Sequence, residues 1–290
     1  MAVDSRRAFV NLVRVFRFAS RSLKYPVTRS KIPFSRTETL KTYLKLPLTV
    51  LLPVMAAAGV TSPELQKIID ECEELYEKKD FLTMYDLLIP HKESNDANIL
   101  WRLARAATEK GKLVDKEEKK SLTYEAWDYI TKALELDDKN FACHKWYGIL
   151  LDKTAEYEGT QKRISNAFKV KEHFMKALEL NPKDATTMYC LGYWCFLFAD
   201  MPWYQRKIAS VIFATPPTST YEEALGYFKQ AEETDPGFYN MNNKMLGLTY
   251  LRLKDKELAK TYFLKAINYP AKSEDDKQAV KEAADHLKSL

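Results

Sequence analysis

At 290 residues and 46% hydrophobic, the chain is long and apolar enough to bury a sizeable core. It holds only 8 glycines, which argues against folds that turn often or cradle phosphates on Gly-rich loops. The net charge of +5 is uneven: residues 1–45 carry 11 Lys/Arg against Asp4 and Glu38, and the rest carries 34 against 38 acids. The basic character therefore belongs to the N-terminal arm, and it gives no support to nucleic-acid binding by the remainder.

Residues 1–24 have the pattern of a basic amphipathic helix. At 100° per residue, Arg6, Arg7, Arg14, Arg17, Arg21 and Lys24 gather on one side. Phe9, Leu12, Phe16, Ala19 and Leu23 fall opposite. An Arg-rich, Ser-containing, acid-poor composition is that of a mitochondrial presequence, and an interfacial membrane helix has the same physics. A domain helix docking its apolar face is the plain alternative. Residues 25–45, with Pro26 and Pro33, read as a linker. Residues 46–60 carry no charge. As a helix they would reach roughly 22 Å at 1.5 Å per residue, short of the roughly 30 Å hydrocarbon core. They read as a short anchor or sorting segment, with a strip covering the first repeat as the rival.

Residues 61–290 read as one helical domain. Pro63 suits a first helical position, and a helix is predicted to about Lys79, with a second from about Phe81 to Pro90. Ala, Leu, Lys and Glu dominate from here, so the fold class is all-α. Beyond this pair a grammar repeats. Ala104, Gly148, Gly192 and Gly247 supply a small residue in a first helix, spaced 44, 44 and 55 apart. The second helices answer with Ala133, Ala177, Ala231 and Ala266, each three residues after Ile130, Phe174, Phe228 or Phe263. Small residues let two helices approach closely, and the large one fills the space beside them. Pro236 and Pro270 end the last two second helices.

Such units are those of a tetratricopeptide (TPR) repeat, and the predicted architecture is a TPR-like α-solenoid of antiparallel pairs. The units exceed the usual length, so the extra residues must lengthen helices or add a small element. The insert at 198–220 is too apolar for a free loop. Trp203, Ile208, Val211, Ile212 and Phe213 are predicted to pack back, as an extra helix. Residues 273–290 are predicted to form a polar-faced capping helix with Val280, Ala284 and Leu287 inward.

No Walker-type loop, GxGxxG, HExxH or GxSxG occurs, so neither an enzyme nor a resident cofactor is expected. The four histidines are far apart in sequence, and Cys72, Cys143, Cys190 and Cys195 form no CxxC pair, so no metal site is expected. The cysteines read as buried thiols. Counting three before and one after each small residue gives a predicted groove of Trp101 and Arg105, Lys145 and Ile149, Tyr189 and Tyr193, Lys244 and Leu248. Phe196 lies a turn beyond. Cations and rings without an acid suit an acidic extended peptide or a phospholipid, with several of the rings serving as core in the simpler reading.

The segments SNDANILWRLARA, FACHKWYGILL, KEHFMKALELNPKDA, MPWYQRKIASVIFATPPTSTYEEALGYF and YPAKSEDDKQ resemble the regulator of microtubule dynamics family from about Pro63 onward. That resemblance implies a TPR-like domain associating with microtubules and mitotic spindles, with acidic tubulin tails as candidate guests. It also implies a mitochondrial connection, since one relative is anchored in the outer membrane and its helical domain holds phospholipid at contacts with the endoplasmic reticulum. The expected location is the cytosolic face of the mitochondrial outer membrane, the cytoplasm, the cytoskeleton or the spindle. The N-terminal arm would make the membrane contact.

Overall fold

The computed structural model describes residues 63–290 apart from Ala214, and the expectations for 1–24, 25–45 and 46–60 lie outside them. Among the described residues every regular element is helical. These are α1 (Pro63–Glu77), α2 (Phe81–Leu88), a 3-10 turn (Ile89–His91), α3 (Ala97–Lys110), α4 (Lys116–Leu136), α5 (Phe141–Glu158) and α6 (Thr160–Leu180). They continue with α7 (Ala185–Ala199), α8 (Trp203–Ile212), α9 (Tyr221–Thr234), α10 (Asn240–Arg252), α11 (Lys256–Ile267) and α12 (Glu274–Lys288). Helices pair as α1 with α2, α3 with α4, α5 with α6, α7 with α9 and α10 with α11, and α12 closes on α10 and α11.

Short polar side chains start most of these helices. Asp96, Asp115, Asn140, Asp184 and Asp255 each accept a backbone N–H of the first turn. Thr220 and Ser273 form reciprocal capping boxes with Glu223 and Asp276. Each cap satisfies a donor that the helix cannot satisfy internally.

The pairs nest through the small residues picked out in the sequence. A Cβ on Gly148 would lie 2.6 Å from Phe174 Cε1, one on Gly192 2.7 Å from Phe228 Cδ1, and one on Gly247 2.6 Å from Phe263 Cδ1. Each glycine therefore exists to admit the phenyl ring of its own partner helix. The first unit makes the trade differently. Ala104 carries a methyl, and the residue at the ring position is the slimmer Ile130; both are fully buried. Ala133, Ala177, Ala231 and Ala266 are also sealed from solvent. A fully buried phenylalanine contributes about 2–3 kcal/mol of apolar transfer, so these rings anchor each crossing.

The added length is spent in two ways. In the first two full units it extends the helices, so that α4 and α6 reach 21 residues each and α5 reaches 18. In the third it builds α8, which rests on α6 of the preceding unit. The last pair turns tightly through Lys254, and the first does the same through Lys79. Both lysines hold positive φ, 66° and 59°, and an aspartate follows each to cap the next helix. The identical turn marks α1–α2 as a divergent repeat of the same kind.

Two expectations need correcting. The α8 segment does fold as a helix, but only Ala209 of it is buried, while Trp203 and Val211 are 69% and 86% exposed. Its inward face is narrow because α6 supports it from one side only. The inward face of α12 is centred on Asp276, Ala279 and Ala283, with Val280, Ala284 and Leu287 on its flank. Alanines at the contact let α12 lie closer than larger residues would permit.

Candidate functional site

A cavity of about 650 Å³ opens among α3, α5, α6, α7 and the segments around residues 238 and 275. Its stripe on α5 is Ile149, Asp152, Lys153 and Glu156, and on α7 it includes Thr186, Tyr189, Cys190 and Tyr193. These are i, i+3, i+4, i+7 positions, one face of each helix. Rings line much of the wall. Tyr189 stacks on Tyr193 with centroids 6.2 Å apart and meets Tyr239 edge-on at 5.1 Å. Burial pushes the Tyr189 and Tyr239 phenols well above their ordinary range.

The predicted groove residues divide sharply. Tyr189 and Tyr193 line the cavity; Trp101, Arg105, Lys145, Phe196 and Lys244 do not. The cations forecast without acids each have one. Arg105 pairs with Glu73 at 2.9 Å and stacks over Tyr76 and Trp101. Lys145 reaches Asp184, the α7 cap, at 3.0 Å, and Lys244 reaches Glu282 of α12 at 3.0 Å. The reason is dielectric: at a helix crossing an uncompensated charge is costly, so a neighbouring helix supplies the counter-ion. Phe196 is core, packed on Tyr221.

On α3 and α5 the cavity lies one to two turns further along than the groove count placed it, while on α7 it meets the predicted Tyr189 and Tyr193. The long α5 extends past its crossing at Gly148, and the residues beyond, Asp152 to Glu156, form the wall. Sequence reasoning missed these residues because it counted only three before and one after each small residue, and so stopped short of the lengthened part of the helix. The unusual spacing between small residues was the available signal.

Charge in the cavity is mixed. Lys79, Lys112, Lys153 and Arg163 share it with Glu109, Asp152, Glu156, Asp275 and Asp276. Arg163 grips Asp152 through two bonds of 2.7 Å and lies 3.3 Å from Glu156. Lys112 bonds Glu109 at 2.9 Å and Asp275 at 2.7 Å, and Tyr239 donates to the same Asp275 oxygen at 2.8 Å. That contact links the turn after α3 to α12 across 163 residues and closes one side of the cavity. Burial works against the Asp275 charge, but Lys112 and Tyr239 hold its carboxyl below the ordinary aspartate range. Lys153 and Lys79 are the exceptions: neither side chain has a hydrogen bond or an ion pair among the described residues, although Lys79 lies 4.8 Å from the Tyr76 ring centroid. Burial, with Lys112 nearby, pushes the Lys153 ammonium below the usual lysine range. With Lys79 set against a ring, Lys153 is the cavity cation that has neither an acid nor a ring as partner.

Two histidines expected to stand apart meet behind this wall. His144 and His173 approach through their Nδ1 atoms at 3.0 Å, while His144 Nε2 lies 2.8 Å from the Asp138 carbonyl. With Nε2 donating to that carbonyl, His144 Nδ1 accepts from His173. Burial, then the His144 and Lys169 charges, push His173 down to about 4. Cys72, Cys143 and Cys195 are buried free thiols and Cys190 is partly buried. Burial raises the thiol of Cys190 to about 12. No His/Cys/Asp/Glu cluster among the described residues has the makings of a metal site.

Antiparallel helix pairs, a small-for-large exchange at each crossing and a cavity walled by first helices define a TPR-like α-solenoid. A crystal structure of a thermophilic TPR protein from Thermus thermophilus has the same fold, with a TM-score of 0.52 at 16% identity, covering 76% of this chain and 98% of that one. The family profile described as Regulator of microtubule dynamics protein 1-3 matches residues 68–290, and the chain belongs to that family. Regulator of microtubule dynamics protein 1 of Bos taurus is 50% identical over 252 residues, 86% of this chain and 78% of that protein. The Homo sapiens protein of the same name is 54% identical over 192 residues, 66% of this chain and 61% of its own length. Regulator of microtubule dynamics protein 3 of Xenopus laevis is 34% identical over 228 residues, 77% of this chain and 49% of that protein.

Proposed function

We propose that this chain is a non-enzymatic binding protein that associates with microtubules and regulates their dynamics, in the cytoplasm and on the spindle. Family membership carries the reading, since the relatives are named for that role. The mixed charge of the cavity argues against a polyacidic tubulin tail inside it. The complement to such a tail is the arm at 1–45, with 11 Lys/Arg against two acids. Co-sedimentation of the full chain with intact and tail-trimmed microtubules tests this. Pelleting should fall on trimming and with added salt; no pelleting at low salt would remove the microtubule role.

A second reading concerns the cavity itself. Ring-lined walls around the unpaired Lys153 favour an amphipathic ligand with one anionic group, of which a phospholipid is the natural example. Native mass spectrometry of the full chain after exposure to liposomes should show a bound phospholipid, reduced in Lys153→Met. A ligand-free protein would end this reading and leave the first intact. In this second reading the basic arm and the apolar 46–60 segment hold the chain at the cytosolic face of the mitochondrial outer membrane. Protease protection of intact mitochondria should then find it accessible.

A further inference from the structure

Helix α8 presents a face that stays exposed among the described residues. Trp203, Lys207 and Val211 follow one another at helical spacing, with Tyr204 beside them. Trp203 is 69%, Tyr204 50% and Val211 86% exposed. The opposite side is used: Ala209 is buried, and Gln205 lines the cavity. The helix is also firmly aimed. Arg206 donates from Nε to the Met201 carbonyl at 2.9 Å and from Nη2 to the Ala199 carbonyl at 3.2 Å, tying α8 to the end of α7. Phe213 follows α8 and packs edge-on against the exposed Phe168 of α6 at 5.0 Å, which widens the apolar patch.

The charges on this face have one sign. No Asp or Glu occurs from Met201 to Tyr221, a long gap in a part of the chain where acids outnumber bases. The preceding acid, Asp200, is spent on Arg252 at 2.8 Å and on Tyr221 at 2.6 Å. Lys207 lies 4.9 Å from the Trp203 ring centroid and is exposed. Tryptophan, tyrosine and a short aliphatic residue, interleaved with an exposed lysine and a basic neighbour, are what a water–lipid boundary with negative headgroups accommodates. Rings sit at headgroup level, aliphatic groups dip below, and cations remain with the phosphates.

We propose that the exposed face of α8, built on Trp203, Tyr204, Lys207 and Val211, is a docking surface for an anionic phospholipid membrane. It is separate from the basic arm and needs no lipid in the cavity. Because Gln205 of the same helix lines the cavity, docking would bring one cavity wall against the bilayer.

Trp203 is the probe. It stands out by exposure, since Trp101, Trp146 and Trp194 are buried and Trp127 is partly buried. The full chain is mixed with phosphatidylcholine–phosphatidylserine vesicles whose acyl chains are brominated, and tryptophan emission is followed. Emission should shift to the blue and be quenched, and Trp203→Phe should abolish most of the quenching. Val211→Glu puts a charge into the stripe at a site too exposed to matter for folding. It should weaken the quenching-derived affinity about tenfold, as should Lys207→Glu. Quenching that survives Trp203→Phe would overturn the proposal. So would vesicle pelleting without quenching, which assigns membrane binding to the arm alone. Protection of Trp203 by microtubules but not by vesicles would overturn it in favour of a protein-docking face.

Discussion

Replacing Gly148 by alanine tests the packing rule on which the solenoid rests. The new methyl would lie 2.6 Å from Phe174 Cε1 and 2.9 Å from Cδ1. Carbon atoms at ease sit about 3.5–4.0 Å apart, so the ring must retreat by about 1 Å. Phe174 is buried with one side on the cavity, so any relief must come from a shift of the ring in that direction. Overpacking of this kind costs about 1–3 kcal/mol, and the better helix propensity of alanine returns about 1 kcal/mol. The expected net loss is about 0–2 kcal/mol, or a fall in Tm of up to about 8 °C for a domain of this size. Phe174→Ile alone should cost a similar amount, by leaving a void. The pair together recreates the Ala104–Ile130 solution of the first unit, so the double variant should recover about 1–3 kcal/mol relative to the sum. Gly226→Ala is the control. It lies in α9 with nothing within 4 Å of the added carbon, and should stabilise by up to about 1 kcal/mol. Urea and thermal melts followed by circular dichroism supply the numbers. Additive effects in the double variant, or a Gly148→Ala that behaves like the Gly226→Ala control, would refute the reasoning.

Three further outcomes follow from other parts of the molecule. His173 is held near 4 when folded and lies near 6.5 when unfolded, so the unfolded chain takes the proton first. The stability it contributes is whole above about pH 6.5 and is lost as pH falls toward 4; after discounting for partial exposure, about 1 kcal/mol should go by pH 5, less in His173→Gln. Lys254→Gly relieves a left-handed residue at φ 66° and should raise the urea midpoint by the equivalent of about 0.5–1 kcal/mol. Asp275→Asn weakens the Lys112 contact between the turn after α3 and α12, and should cost about 1–2 kcal/mol, with hydrogen-exchange protection lost first in the opening turns of α12.

The helices and their crossings could be read from the chain because they obey local rules. Glycine or alanine in one helix and a large residue in the next are visible at fixed spacing, and Asp, Asn, Ser and Thr announce the starts. Pro236 stops α9 at Thr234 as expected. The cavity wall was less legible. Nothing in the neighbourhood of Lys145 says that Asp184, thirty-nine residues on, will neutralise it. The same holds for Lys112 and Asp275, and for His144 and His173. Such pairs are set by how far each unit rotates on the last, a property of the assembled stack. The exposure of Trp203 was misjudged for a related reason. Apolar composition says that a segment needs a partner, but not whether that partner belongs to the same chain.

The counter-ion pattern narrows where ligands can act. A buried cation already bonded to its acid gives up that bond to take a guest, so the net gain from exchange is small. Arg105, Lys145, Lys244, Arg163 and Lys112 are all engaged in this way. Their task is to hold successive helices in register, which is why the acids come from adjoining helices or from across the stack. What remains without an acid partner is Lys153 and Lys79 inside the cavity, together with the α8 face, whose Gln205 shares the cavity lining. The same lining carries apolar rings, the Lys153 ammonium and five carboxylates, Glu109, Asp152, Glu156, Asp275 and Asp276. Those carboxylates repel a chain bearing acids along its length, so a guest of that kind is disfavoured there.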